Sequence, residues 1–277
     1  MKHIDSHQHF WTYDPVEYPW IKPDWSIRRS FSPSDLAPLL QSSGLHGSVA
    51  VQARQSLRDT EWLLGLAEEN PSIAGVVGWV DLRAAQVREQ LAAFLPNRKF
   101  VAVRHIVQDE PDDAFMLGGD FQRGIAALRE FDLAYDLLVF PRQLPASIEL
   151  VRRFPEQRFV LDHIAKPLIK DGQLEPWATL IQELAKAPNC FCKLSGMVTE
   201  ARWHAWKPAD FTPYLDIVWQ AFGPERLMIG SDWPVCLLSG EYGETMSIVQ
   251  NFLQQFSRDD REKVMGANAI RFYRLPV

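Results

Sequence analysis

Short apolar runs rich in β-branched residues alternate with longer stretches whose apolar positions recur at helical spacing, and the alternation repeats about eight times along the chain. The runs predict strands over residues 3–9, 47–53, 73–80, 100–106, 133–139, 158–163, 189–195 and 227–232. Helices are predicted over 34–43, 59–69, 86–95, 121–131, 145–154, 176–187, 213–222 and 242–256, with one further helix over 259–273. Their boundaries carry chemistry: Ser32 or Ser34 can cap the first, Gly44 ends it, and Pro71 and Pro96 stop the next two. Gly44, Gly75 and Gly119 read as turn formers.

Two stretches break the rhythm. Residues 10–31 hold Trp11, Tyr13, Tyr18, Trp20 and Trp25, too apolar for a freely solvated linker, and residues 197–208 hold Trp203 and Trp206. Both are expected to fold over a pocket. Eight strand-helix pairs at roughly 30-residue spacing predict an α/β fold, a single (β/α)8 barrel occupying 1–277 as one domain. A doubly wound open sheet is the structural alternative, but neither of the usual glycine-rich phosphate loops occurs.

Composition narrows the function classes. Hydrophobic residues make up 47% and charged residues 23%, no apolar run reaches the roughly 18 residues that membrane insertion requires, and the net charge of −6 supplies no basic field for nucleic acid. A small molecule is therefore the expected partner. Three cysteines cannot all pair, and Cys190 and Cys192 share one apparent strand, so free thiols and a reducing compartment are expected. With strand-like sequence from Met1 onward, the expected location is the cytoplasm.

In such a barrel the chemistry sits at the C-terminal ends of the strands. His7 and His9 end the first, Arg104 and His105 the fourth, Tyr135 or Asp136 lies on the fifth, His163 ends the sixth, Lys193 the seventh and Asp232 the eighth. His7 and His9 are two apart on one strand and project to the same side. An unpaired lysine in an apolar strand is costly, so Lys193 is expected to reach the pocket or a carboxylate such as Asp232. Trp79 and Trp233 are candidates for lining a sugar site, although each singly reads as packing. For Arg104 and His105, contact with substrate and an ion pair with Asp109 or Glu110 are both open.

His-x-His on the first strand, histidine on the sixth and aspartate on the eighth resemble the amidohydrolase superfamily, from Asp5 to about Ala269. Asp5-Ser6-His7-Gln8-His9-Phe10-Trp11, Leu161-Asp162-His163, Cys192-Lys193-Leu194-Ser195-Gly196 and Gly230-Ser231-Asp232-Trp233-Pro234-Val235 are similar to its sugar-lactonase branch. Within that branch the L-fuconolactonases match best, ahead of the L-rhamnonolactonases and pyrone-dicarboxylate lactonases.

The resemblance implies hydrolysis of a sugar-acid lactone such as L-fuconolactone. It makes Asp232 the general base for water, with His7, His9 and His163 polarising the carbonyl and Arg104, His105, Lys193, Trp79 and Trp233 on the substrate side. His7, His9, His163 and Asp232 are also the set that would hold a single divalent ion such as zinc. A two-metal site is not expected, because the fourth strand offers no evident bridging lysine or glutamate and the fifth contains no histidine. Metal-independent turnover is the expectation. The alternatives are a zinc-dependent decarboxylase on the same fold and a non-catalytic sugar-binding barrel.

Overall fold

The computed structural model describes residues 2–276. Among these, eight parallel strands follow one another round a barrel in sequence order: β1 (Ile4–Gln8), β2 (Gly47–Val51), β3 (Ile73–Gly78), β4 (Phe100–His105), β5 (Ala134–Leu137), β6 (Phe159–Leu161), β7 (Cys190–Leu194) and β8 (Leu227–Ile229). Closure comes just beyond the end of β8. The Asp232 amide donates to His7 O at 2.8 Å and the His9 amide to Trp233 O at 2.6 Å. The last contacts that complete the barrel are thus made by the segments that carry the candidate chemistry.

Between the strands run α1 (Pro33–Ser42), α2 (Leu57–Glu69), α3 (Val87–Phe94), α4 (Gly119–Glu130), α5 (Leu144–Arg153), α6 (Trp177–Ala185), α7 (Pro208–Phe222) and α8 (Tyr242–Leu253). Each lays one apolar face on the sheet. In α5 that face is Leu144, Ile148 and Val151, all buried, while Arg152 and Arg153 project outward. At the start of α1 the Ser32 amide donates to Asp35 Oδ2 at 2.8 Å, which satisfies a donor the helix cannot.

Three expectations are corrected. Helix α7 starts at Pro208, five residues before the predicted start, because the Asp210 carboxylate accepts the Lys207 amide at 2.8 Å and Pro213 sits inside the helix. The final helix is not uniform: α9 (Arg258–Glu262) and α10 (Asn268–Tyr273) flank a π-helical turn over Lys263–Ala267. Gly75 is no turn former; it lies within β3, where a Cβ would come within 2.7 Å of Leu275 and 3.1 Å of Val101.

The core is layered. A larger cluster fills the space between sheet and helices, and a smaller one, with Ile4, Val49, Val77, Val101 and Met228, fills the barrel interior. Helix α10 closes the lower end of that interior with Phe272 and Tyr273. The aromatic segment after β1 is packed, as expected: Trp11 and Phe31 exchange backbone hydrogen bonds of 3.1 and 2.9 Å, and Trp11, Tyr18, Ile21 and Ile27 are buried.

Candidate active site

A cavity of about 340 Å³ opens at the C-terminal end of the strands. Its polar wall is formed by His9, Arg104, His163, Lys166, Glu200 and Asp232, and Trp20, Trp25 and Trp203 stand at its aromatic side. Trp25 and Trp203 meet edge to face with ring centroids 5.8 Å apart, so the loops after β1 and β7 touch over the cavity.

At the floor, His9 Nε2 lies 3.2 Å from His7 Nε2 and 3.3 Å from Asp232 Oδ1. The same carboxylate oxygen is 3.8 Å from His7 Nε2 and 3.7 Å from His163 Nε2. Distant parts of the chain therefore deliver three imidazoles and one carboxylate to a single point. Burial raises the Asp232 carboxyl, but His163 and His9 outweigh it and hold the group below its ordinary range. Burial drives both His7 and His163 well below the ordinary imidazole value, and at His7 the charges of Lys193 and Arg104 add to the fall, so that the His7 ring is neutral at pH 7.

Each ring is oriented through its other nitrogen. His9 Nδ1 donates to Val51 O at 2.8 Å, which leaves Nε2 as the nitrogen turned toward Asp232. His163 Nδ1 meets Ser195 Oγ at 2.9 Å. Gly196, with φ of 61°, permits that approach, because a side chain there would overlap the His163 ring. His7 Nδ1 lies 3.3 Å from Asp162 Oδ1 and 3.1 Å from Lys193 Nζ, while Arg104 Nη1 donates toward His7 Nε2 at 3.3 Å. A neutral ring cannot accept at both nitrogens, so its proton belongs on Nδ1, facing Asp162.

Backbone strain marks the same place. Asp232 has φ of 58°, and His163, Ile164, Ala165 and Lys166 form a consecutive left-handed run with φ between 48° and 60°. Such conformations are unfavourable for side chains with a Cβ, above all for a β-branched isoleucine, and persist where the surroundings over-determine them. Full burial of Ile164 and Ala165 supplies that constraint and turns His163 and Lys166 toward the cavity.

Beneath the imidazoles lies a charge network in which Lys193 reaches carboxylates, though not Asp232. Lys193 is fully buried and donates to Asp136 Oδ2 at 2.6 Å, with Asp162 Oδ1 at 2.9 Å. Arg104 donates to Asp162 Oδ2 at 3.2 Å and to Gln52 O and Oε1 at 2.6 and 2.9 Å. From the closed end of the barrel Tyr273 donates to Asp136 Oδ2 at 2.8 Å. Two carboxylates thus face two cations. Burial raises Asp136 to about 6 against the pull of Lys193, whereas for Asp162 the attraction of Lys193 and Arg104 overcomes burial and keeps it low.

A second network joins the two ends of the barrel seam. Asp5 Oδ1 accepts the Ser231 amide at 2.9 Å and the His7 amide at 3.1 Å, and its Oδ2 accepts Ser231 Oγ at 2.6 Å and Tyr242 Oη at 3.0 Å.

Not every candidate reaches the cavity wall. Arg104, His9, His163 and Asp232 line it, and His7 sits directly below. Lys193 is paired with Asp136 and Asp162, not with Asp232. His105 turns outward, accepts the Trp79 indole N–H at 3.4 Å, pairs with Glu110 at 2.7 Å and stacks on Phe115. Trp233 is buried behind the wall against Phe10 and Phe31. Asp162, Lys166 and Glu200 carried no assigned role in the sequence; a carboxylate directly before a strand-ending histidine was the available signal for Asp162.

The arrangement fits one metal ion. Ligand atoms on a tetrahedral zinc lie about 3.4 Å apart, given Zn–N bonds of roughly 2.0–2.1 Å, and the distances of 3.2, 3.3 and 3.8 Å among His7 Nε2, His9 Nε2 and Asp232 Oδ1 match; His163, expected in the same set, groups instead with His7 and Asp162. His9 Nε2 faces the Asp232 carboxylate oxygen at 3.3 Å, a separation that places either a proton or a cation between them.

A sequence profile of the amidohydrolase family matches residues 4–275. The chain belongs to the amidohydrolase family. This amidohydrolase is 43% identical to the L-fucono-1,5-lactonase of Burkholderia multivorans, over 99% of the chain and 96% of the relative, and 40% identical to that of Burkholderia ambifaria, over 98% and 95%. It superimposes on a crystal structure of a Burkholderia multivorans amidohydrolase with bound zinc at a TM-score of 0.96, with 43% identity and full coverage of both chains. Identity at this level over whole chains puts it in the sugar-lactonase branch.

Proposed function

We propose that this amidohydrolase opens L-fucono-1,5-lactone, or an aldonolactone close to it, to the free acid in the cytoplasm. Hydrolysis of a sugar lactone follows from its kinship with the two L-fucono-1,5-lactonases. The observation that supports the residue roles is the convergence of Asp232 Oδ1 with the imidazoles of His7, His9 and His163 on the cavity floor.

Ester hydrolysis needs a base for water and positive or hydrogen-bonding groups where the oxyanion develops. Asp232, ionised at neutral pH, takes a proton from water as the hydroxyl oxygen bonds to the carbonyl carbon. The oxyanion faces Arg104, and His163 can donate from Nε2 when Ser195 Oγ donates to its Nδ1. When the ring C–O bond breaks, Asp232 returns the proton to the departing alkoxide. His7, held from below by Asp162, which Lys193 in turn fixes, accepts from Arg104 and orients the guanidinium.

His7, His9 and Asp232 would hold a zinc ion, which when bound would supply Lewis-acid polarisation of the carbonyl. Turnover without metal remains the proposal, because Arg104 already places a full positive charge at the floor. A decarboxylase and a binding-only barrel are the competing readings. A pH-indicator panel of fucono-, galactono-, rhamnono- and arabinono-lactones tests the proposal: fuconolactone should give the highest kcat/KM, and no acid release from any member would contradict it.

A further inference from the structure

Two charged side chains face the cavity without a hydrogen-bonding or ion-pair partner among the described residues. Lys166 ends the left-handed run after β6, and Glu200 ends the short turn Val198–Glu200 after β7; both stand on the wall that also carries His163 and Asp232. Among the described residues neither the Glu200 carboxylate nor the Lys166 ammonium makes a hydrogen bond or an ion pair, and the ammonium lies 5.6 Å from the centre of the Phe140 ring. The other charged groups of the floor are matched: Arg104 by Gln52 and Asp162, Asp232 by His9.

The pair is also held in place. Ile164 and Ala165 are fully buried and fix the strained backbone at Lys166, and Glu200 follows the buried Val198. Burial raises the Glu200 carboxyl, with Lys166 opposing and Asp232 adding to the rise, so both of the charges that it feels belong to this wall. Both side chains are part-buried at the cavity, so a ligand that displaces their remaining water must complete their hydrogen bonds. A polyhydroxylated lactone ring offers what they lack, since each hydroxyl both donates and accepts.

We propose that Lys166 and Glu200 are specificity-determining residues that bind the hydroxyl groups of the lactone ring, the ammonium donating to one oxygen and the carboxylate accepting from another. This rests on the reading of the site as an aldonolactone hydrolase and goes beyond it, because ring opening itself uses Asp232, His163 and Arg104.

The test compares kcat/KM for fucono-1,5-lactone with that for δ-valerolactone, which has the same six-membered cyclic ester and no hydroxyls. In Glu200→Ala and Lys166→Met the ratio of the two should fall about 10- to 100-fold, the loss typical of a hydrogen bond to a charged group. The fall should appear mainly in KM, and Glu200→Gln, whose amide oxygen still accepts, should recover part of it. Loss of active protein cancels in the ratio. A ratio within threefold of wild type in both variants would overturn hydroxyl recognition by the pair. Wild type that opens δ-valerolactone but no aldonolactone would overturn it too and leave ester hydrolysis standing, whereas wild type that opens neither would remove the lactonase reading and the pair's role together.

Discussion

Lys193 Nζ lies 2.9 Å from Asp162 Oδ1, and that oxygen is 3.3 Å from His7 Nδ1. A cation on β7 thereby fixes the carboxylate that orients an imidazole on β1, in a region with no solvent to compensate a missing partner. Lys193→Met leaves Asp136 and Asp162 facing each other without it. Removal of one member of a buried charge set costs roughly 3–5 kcal/mol, so the urea midpoint should drop accordingly. Adding Asp136→Asn should recover part of the loss; no recovery would mean that the two residues do not act as a pair.

Asp5 ties β1 to the segment after β8 through four hydrogen bonds. Asp5→Ala leaves buried donors from His7, Ser231 and Tyr242 unpartnered and should cost at least about 3 kcal/mol. Ser231→Ala removes fewer and should cost about 1 kcal/mol. Equal losses in denaturant unfolding would contradict the dominance of the Asp5 carboxylate.

Acid sensitivity of the fold should trace in part to His105. Burial lowers its pKa below the ordinary value of 6.5, partly offset by Glu110. The unfolded chain then binds the proton more tightly than the native protein, so the stabilising contribution is present above pH 6.5 and is lost as pH falls through and below it. His105→Gln should show a smaller decline in unfolding free energy between about pH 7 and pH 5, by up to about 1.4 kcal/mol per pH unit. An unchanged slope would show that His105 does not contribute.

Exhaustive dialysis against a chelator should leave most lactone hydrolysis intact, because Arg104 supplies positive charge at the floor. Loss restored only by zinc would instead assign the carbonyl activation to a metal held by His7, His9 and Asp232.

The barrel was legible because most of its strands are apolar on both faces and its helices on one, so periodicity located each strand to within a few residues. Family motifs ended on the four residues that converge, and His-x-His, His163 and Asp232 were found together. What sequence could not reveal were interactions between motifs. Whether Lys193 reached Asp232 or Asp162 depended on how deep in the barrel its Cα lay, and Trp233 turned away from the cavity to meet Phe10 and Phe31. Lys166 was hidden for another reason: the left-handed run at His163–Lys166 has no glycine to announce it.

The most direct measurement is steady-state hydrolysis of fucono-1,5-lactone by Asp232→Asn, alongside calorimetric binding of the open acid. The amide keeps the shape and cannot take a proton from water, so kcat should fall about 10²- to 10⁴-fold while binding persists. A kcat within threefold of wild type would show that Asp232 is not the base.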